Sequence, residues 1–179
     1  MKKIQGGTFH ELSGSIQAEA DNIINSGKLY AKNMQLYADN DIHNISGIIK
    51  TENNLDIYAF GNVINETQKN TPQTSVSSAR YGLGFLTQLS AKKQSATSEL
   101  LQETAQIASG GTLNITTANN FENISADVSS VGDMTIYADK EISIKSHDLK
   151  TSGNISHHSS NLNSFADIYL YSGGKLDIL

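Results

Sequence analysis

Hydrophobic and polar residues alternate in short runs along most of the chain. In one such run, Met34, Leu36 and Ala38 alternate with Gln35 and Tyr37. Alternation with a period of two over about five residues is typical of a half-buried strand rather than a helix. We therefore expect short strands in which Met34, Leu36 and Ala38 face a core, while Gln35 and Tyr37 face solvent.

The alternating runs return after 21 residues. The pairs with this spacing are Met34 and Leu55, Leu36 and Ile57, Ile42 and Val63, Asn44 and Asn65, Leu113 and Met134, Ile115 and Ile136, and Phe121 and Ile142. The same spacing relates two further columns, Val128–Leu149–Leu170 and Met134–Ile155–Leu176. A fixed period of about twenty residues indicates one structural unit stacked on copies of itself.

The repeat determines the expected fold. Coils stacked in register lay each strand beside its copy at a spacing of about 4.8 Å, with aliphatic side chains inside. Antiparallel hairpins would require tight two-residue turns between the runs, and we find no such pattern. The sequence therefore predicts an all-β fold, a right-handed parallel β-helix (solenoid) of roughly six to seven coils.

Residues 66–108 interrupt the repeat. They contain Pro72, the single proline, and a segment over 95–107 that fits an amphipathic helix and an alternating strand equally well. We expect an extruded insertion, a hairpin or a helix, between the coils of 1–65 and those of 109–179. Excursions of this kind from a solenoid often carry the interacting surface.

Four apolar residues of the insertion are the candidate partner-binding residues: Tyr81, Leu83, Phe85 and Leu86. Large apolar side chains on an exposed insertion usually mark a contact surface. The alternative is that they pack back on the solenoid.

Composition excludes several classes of function. Lys and Arg total 13, Arg80 is the only arginine, and the net charge is −5, so no basic stripe predicts a nucleic-acid partner. Cysteine is absent, which removes disulfides and thiolate metal sites. No apolar stretch approaches the roughly 18 residues of a transmembrane segment.

The histidines do not have the spacing of a metal site. They are His10, His43, His147, His157 and His158. A structural site needs about four ligands at matched spacing, so we expect no metal and no cofactor. The 21-residue spacing places His157 in the column of Ile136 and Ile178, as a local irregularity of the core.

Asparagines recur at one position of the coil. Asn44, Asn65 and Asn123 are each followed two residues later by Ser or Thr, as in glycan acceptors, and Asn25 has a related position. Stacked amides at a coil corner explain the recurrence without a glycan, and we predict such an asparagine ladder.

A second recurring residue is tyrosine. Tyr37, Tyr58 and Tyr137 share an outward strand position. A row of aromatic rings can bind carbohydrate or a partner. We favour the other interpretation, a cross-strand stack that stabilises the sheet.

Parallel β-helices also occur in polysaccharide lyases, which need convergent carboxylates and basic residues. The acidic candidates are Asp39, Asp41, Asp56 and Asp139, of which Asp39 and Asp139 fall in turns. With one arginine and no convergent acid–base set, we expect a protein that is not an enzyme and has no catalytic residues.

Several motifs together resemble the haemagglutinin repeats of filamentous haemagglutinin and of contact-dependent inhibition exoproteins. They are Gly-Gly-Thr-Leu-Asn-Ile at 110–115, Gly-Asp-Met-Thr-Ile-Tyr-Ala at 132–138, Asn-Asn-Leu-Asp-Ile-Tyr-Ala at 53–59, and the Asp/Asn-Ile-x-Asn turns at 41–44 and 62–65. The resemblance covers about 8–67 and 109–179, and the 66–108 excursion is similar in kind to insertions of that family.

The resemblance implies a β-helical shaft of a large exoprotein, secreted with an outer-membrane partner and displayed at the bacterial surface for adhesion or toxin delivery. A receptor on a host or neighbouring cell would be its partner. The chain itself has no signal peptide and stops within a repeat, so we expect a segment of a longer protein. The alternatives are a carbohydrate-active, lyase-like β-helix and a non-functional gene fragment.

Overall fold

The computed structural model describes residues 8–10, 14–70, 101–151 and 154–179, and this part of the chain contains strands and no helices. Six coils of three strands each follow one another. They are β1 Thr8–His10, β2 Ser15–Ala20 and β3 Ile23–Asn25; β4 Lys28–Ala31, β5 Asn33–Ala38 and β6 Ile42–Ile45; β7 Ile48–Thr51, β8 Leu55–Ala59 and β9 Val63–Glu66; β10 Gln106–Ser109, β11 Leu113–Thr117 and β12 Phe121–Ile124; β13 Asp127–Ser130, β14 Met134–Ala138 and β15 Ile142–Lys145; and, after a hairpin of β16 His147–Thr151 and β17 Asn154–His158, β18 Asn161–Ser164, β19 Ile168–Ser172 and β20 Leu176–Ile178.

Corresponding strands of successive coils form three parallel sheets of six strands each. Sheet A has the order β1-β4-β7-β10-β13-β18, sheet B has β2-β5-β8-β11-β14-β19, and sheet C has β3-β6-β9-β12-β15-β20. All of these pairings are parallel. The predicted parallel β-helix is confirmed, with a coil number at the lower end of the expected range.

The core is a set of aliphatic columns inside the coils. Met34 pairs with Leu55, Leu36 with Ile57, and the predicted pairs on β6 and β9 and on β11, β12, β14 and β15 are also in register. Met34, Leu36 and Ala38 are buried, whereas Gln35 is exposed and Tyr37 half-buried. The alternation therefore predicted the inner face correctly. Each buried aliphatic side chain stabilises the fold by about 1.5–3 kcal/mol relative to exposure.

Two excursions leave the solenoid at one corner, the turn from sheet C to sheet A. The first follows β9, and its described ends meet in an antiparallel bridge between Lys69 and Leu101. The coils resume with β10 at Gln106, three residues before the predicted boundary at 109. The described end of the excursion is therefore extended rather than helical.

The second excursion corrects the sequence prediction. β16 and β17 form an antiparallel hairpin in which Leu149 pairs with Ser156 and His157 with Asp148. The predicted columns through Leu149 and Ile155 and the core register of His157 are therefore wrong. Val128 instead pairs with Leu162 and Met134 with Ile168, a spacing of 34 residues rather than 21. The expectation that the chain contains no hairpin is also wrong.

Candidate functional site

The predicted partner-binding residues Tyr81, Leu83, Phe85 and Leu86 lie outside the described residues, so they stay a prediction. The structure does place the point where their segment joins the coils. Besides the Lys69–Leu101 bridge, Lys28 Nζ lies 3.0 Å from Glu103 Oε1. The pKa of Lys28 is raised by its hydrogen bond to Glu103 and by that carboxylate's charge. The returning segment is thereby tied to β4.

The predicted asparagine ladder is confirmed at the corner where the excursions leave. Each Nδ2 donates to the Oδ1 of the next asparagine: Asn25 to Asn44 over 2.7 Å, Asn44 to Asn65 over 2.7 Å, and Asn65 to Asn123 over 2.8 Å. All four side chains are buried. The ladder ends at Asn123, because the next residue in this column is Ile144.

The Ser or Thr that follows each ladder asparagine has its own structural role. Ser46 Oγ accepts a hydrogen bond from Gln68 N at 2.9 Å, Thr67 Oγ1 from Ala105 N at 2.9 Å, and Ser125 Oγ from His147 N at 2.6 Å. The Asn-x-Ser/Thr pattern therefore encodes a buried amide and a hydroxyl that caps neighbouring backbone. Buried amides are inaccessible to glycosylation, so the glycan interpretation is wrong at Asn44, Asn65 and Asn123.

Only part of the predicted tyrosine row is a stack. The rings of Tyr37 and Tyr58 lie 5.2 Å apart with an interplanar angle of 7°, and Phe60 meets both edge-on at 6.0 and 5.2 Å. Thr116 lies between Tyr58 and Tyr137 in the sheet register and separates them. Phe60 belongs to a corner and has no periodic partner of its own type, which is why the pattern did not indicate it.

A shallow groove of about 550 Å³ lies on the outer face of sheet B, next to this stack. One wall is the tyrosine row, Glu19–Tyr37–Tyr58–Thr116, and the other is the amide row, Gln17–Gln35–Asp56–Asn114. Both rows follow the solenoid axis because each contains one residue per coil. The groove therefore spans four coils, or about 14 Å at three spacings of about 4.8 Å.

The groove carries negative charge. Glu19, Asp39 and Asp56 line it, and the described residues around it include no lysine or arginine. Asp56 Oδ1 accepts a hydrogen bond of 2.8 Å from Asn114 Nδ2. The pKa of Tyr37 is raised first by desolvation and then by the charges of Asp39, Tyr58 and Glu19. The neighbouring carboxylates thus act together on one phenol.

Two of the five histidines meet at a carboxylate that sequence reasoning did not connect with them. His43 Nε2 lies 3.3 Å from Glu66 Oε2, and His147 Nε2 lies 3.8 Å from Glu66 Oε1. This arrangement attaches the start of the hairpin to β6 and β9. No group of side chains in the described part of the chain has the arrangement of a metal site.

The four candidate carboxylates of a lyase-like site are dispersed. Asp39 and Asp56 line the groove, whereas Asp41 caps the next coil by accepting hydrogen bonds from Asn62 N and Nδ2 at 2.6 and 3.0 Å. Asp139 follows β14 and accepts a hydrogen bond that raises the pKa of Tyr137. These residues therefore have separate local roles at different positions.

Comparisons of the chain with known protein families, with curated proteins and with solved structures found no match. None of the described strands is joined to a helix that is long and apolar enough to cross a membrane. The outer face of sheet B and the corner with the two excursions are the two surfaces on which function can be argued.

Proposed function

We propose that this chain is a structural segment of the shaft of a large, surface-exposed bacterial exoprotein of the haemagglutinin-repeat kind, and that it acts as a scaffold rather than as an enzyme. One observation carries the proposal: all three sheets continue in register across both excursions. β7 pairs with β10 over a spacing of 58 residues, and β13 with β18 over 34, without loss of the parallel ladder.

The mechanism is geometric. Backbone hydrogen bonds and buried columns link each coil to its two neighbours, so bending the rod would break all three sheets on one side at once. Five spacings of about 4.8 Å separate the first coil from the sixth by about 24 Å. Such a rod holds a binding or toxin-delivery region at a fixed distance from the cell, while the excursions project sideways without interrupting it.

Surface labelling tests the location in this proposal. Antibodies raised against the folded 179-residue chain should label intact cells of the producing organism, and mild external proteolysis should remove the label. Labelling that appears only after the cells are opened would refute surface display. A small-angle scattering profile of the purified chain tests the scaffold itself: a cross-section that stays constant along a rod agrees with it, and a globular profile does not.

A further inference from the structure

The sheet B groove has two chemically different walls that run parallel to the axis. The tyrosine row supplies the stacked rings of Tyr37 and Tyr58, and the amide row supplies side-chain amides at a spacing of one per coil. A ligand that fits such a groove is extended and lies along the axis. Extended polypeptide rises about 3.3 Å per residue, so about four residues occupy the 14 Å of the groove.

Charge selects among extended ligands. Glu19, Asp39 and Asp56 belong to the first three coils and follow one another along the groove. The span from the first coil to the third is about 10 Å, or about three residues of an extended chain. An anionic polymer would be repelled along this whole length, whereas ammonium or guanidinium groups would be attracted.

We propose that the sheet B groove binds an extended, positively charged peptide segment. Its Lys or Arg side chains pair with Glu19, Asp39 and Asp56, its apolar stems lie against the Tyr37–Tyr58 stack, and its backbone bonds to the amide row. Long basic side chains have this dual character, with an apolar stem and a charged end. The site is independent of the shaft role, because a rod without any ligand would still act as a shaft.

An uncharged oligosaccharide is the competing occupant, since amides and aromatic rings also suit sugar hydroxyls. It would leave the three carboxylates without a charged partner. The two occupants differ in one measurable property: binding of a basic peptide weakens with added salt, because exposed charge pairs are screened, whereas binding of a neutral sugar does not.

The experiment is isothermal titration of the full chain with hexalysine, hexaglutamate and cellohexaose at low and at physiological salt. Hexalysine should bind with a 1:1 stoichiometry, more weakly at the higher salt, and the other two probes should not bind. Binding of cellohexaose in place of hexalysine would overturn the proposal, and so would the absence of binding by all three probes.

Two triple variants with the same change in net charge locate the site. The groove variant carries Glu19→Gln, Asp39→Asn and Asp56→Asn. The control variant carries Glu52→Gln, Glu122→Gln and Asp133→Asn, which lie outside the groove. Each exposed charge pair contributes about 0.2–1 kcal/mol, so the groove variant should weaken hexalysine binding by about 3-fold to 100-fold. The control variant should bind like the parent chain.

Equal weakening in both triple variants would mean that hexalysine responds only to the net charge of −5, and the proposal would be wrong. Tyr58→Thr provides a test without any change of charge, because it copies the residue that Thr116 already places in the same row. It should weaken binding by a few fold while circular dichroism shows the coils intact. Unchanged affinity in this variant would remove the tyrosine stack from the site.

Discussion

Asn65 offers the sharpest test of what holds successive coils in register. Its buried side chain makes three hydrogen bonds: it accepts one from Asn44 Nδ2 at 2.7 Å and donates to Asn123 Oδ1 at 2.8 Å and to Asp127 O at 3.1 Å. These bonds also cross the first excursion, because Asn65 precedes it and Asn123 follows it. The side chain therefore joins coils that are 58 residues apart in sequence.

Asn65→Ala should destabilise the protein by about 3 kcal/mol, at about 1 kcal/mol of net stabilisation for each of three hydrogen bonds. For a chain of this size, that loss lowers the thermal midpoint by roughly 6–12 °C. The matched control is Asn161→Ala, which removes an exposed amide whose Nδ2 donates to Asp127 Oδ1 at 2.8 Å. This control should change stability by less than about 0.5 kcal/mol.

Thermal melting followed by circular dichroism measures both variants, and hydrogen exchange locates the loss. Exchange should accelerate at β9 and β12, on both sides of the first excursion, more than at β14 and β19. A midpoint for Asn65→Ala within about 2 °C of the parent would mean that the ladder contributes little, and the reasoning from buried amides would be wrong.

Asn65→Asp gives the same argument a pH dependence. The carboxylate introduced cannot donate to Asn123 Oδ1, and burial disfavours its charged form, so folding raises its pKa above the unfolded value. The folded state then binds more protons than the unfolded state, and the destabilisation at neutral pH should shrink as the pH falls toward about 4. A loss of stability that is equal at both pH values would contradict the ladder geometry.

Three further predictions concern other parts of the solenoid. Phe121→Ala should cost about 3–5 kcal/mol, measured by thermal melting, because it empties a fully buried position of sheet C. Gly110→Ala should destabilise the chain by about 1–3 kcal/mol in the same assay, because a Cβ would overlap the Glu52 carbonyl group of the preceding coil. In a spectrophotometric titration, Tyr37 should ionise above pH 10.0, and Tyr37→Phe should remove that component. Because the folded state retains the Tyr37 proton, stability should fall as the pH rises through this range.

The periodic part of the fold could be predicted from the sequence because each coil repeats the same physical requirements. A core position needs an aliphatic side chain in every coil, so Met34, Leu55 and Leu113 occur at one register position. The asparagine column could be predicted for the same reason. Both signals come from stacking identical units, and the sequence records them as a spacing of 21 residues.

The hairpin of β16 and β17 could not be predicted from this spacing because it imitates the spacing. Leu149 and Ile155 lie 21 residues from Val128 and Met134, although neither enters the core register. The available signal was the Ser-Gly dipeptide at 152–153 between two short runs, which is typical of a two-residue hairpin turn. Periodicity was given more weight than turn chemistry, and the result was a wrong register for the last coil.

The groove and the histidine–glutamate contact could not be predicted for a different reason. The tyrosine row and the amide row lie on the outer face, where each coil is free to carry a different residue. His43, Glu66 and His147 come from three elements and share no common spacing. Only the observed register brings such residues together, so the sequence could indicate a tyrosine row but not the carboxylates beside it.

The corner between sheets C and A explains how one rod accommodates two excursions. The two described non-glycine residues with positive φ are Ser46 and Ser125, at 47° and 48°, and both lie at this corner. Each serine accepts the backbone N–H of the chain leaving the next coil, Gln68 in the first excursion and His147 in the hairpin. A departing strand would otherwise leave that N–H without its ladder partner, at a cost of about 1–3 kcal/mol if buried. With the N–H satisfied and the asparagines holding the register beside it, the chain can leave the solenoid here and rejoin it without loss of parallel pairing. The same corner chemistry, used twice, is the physical reason that this rod carries its excursions along one edge.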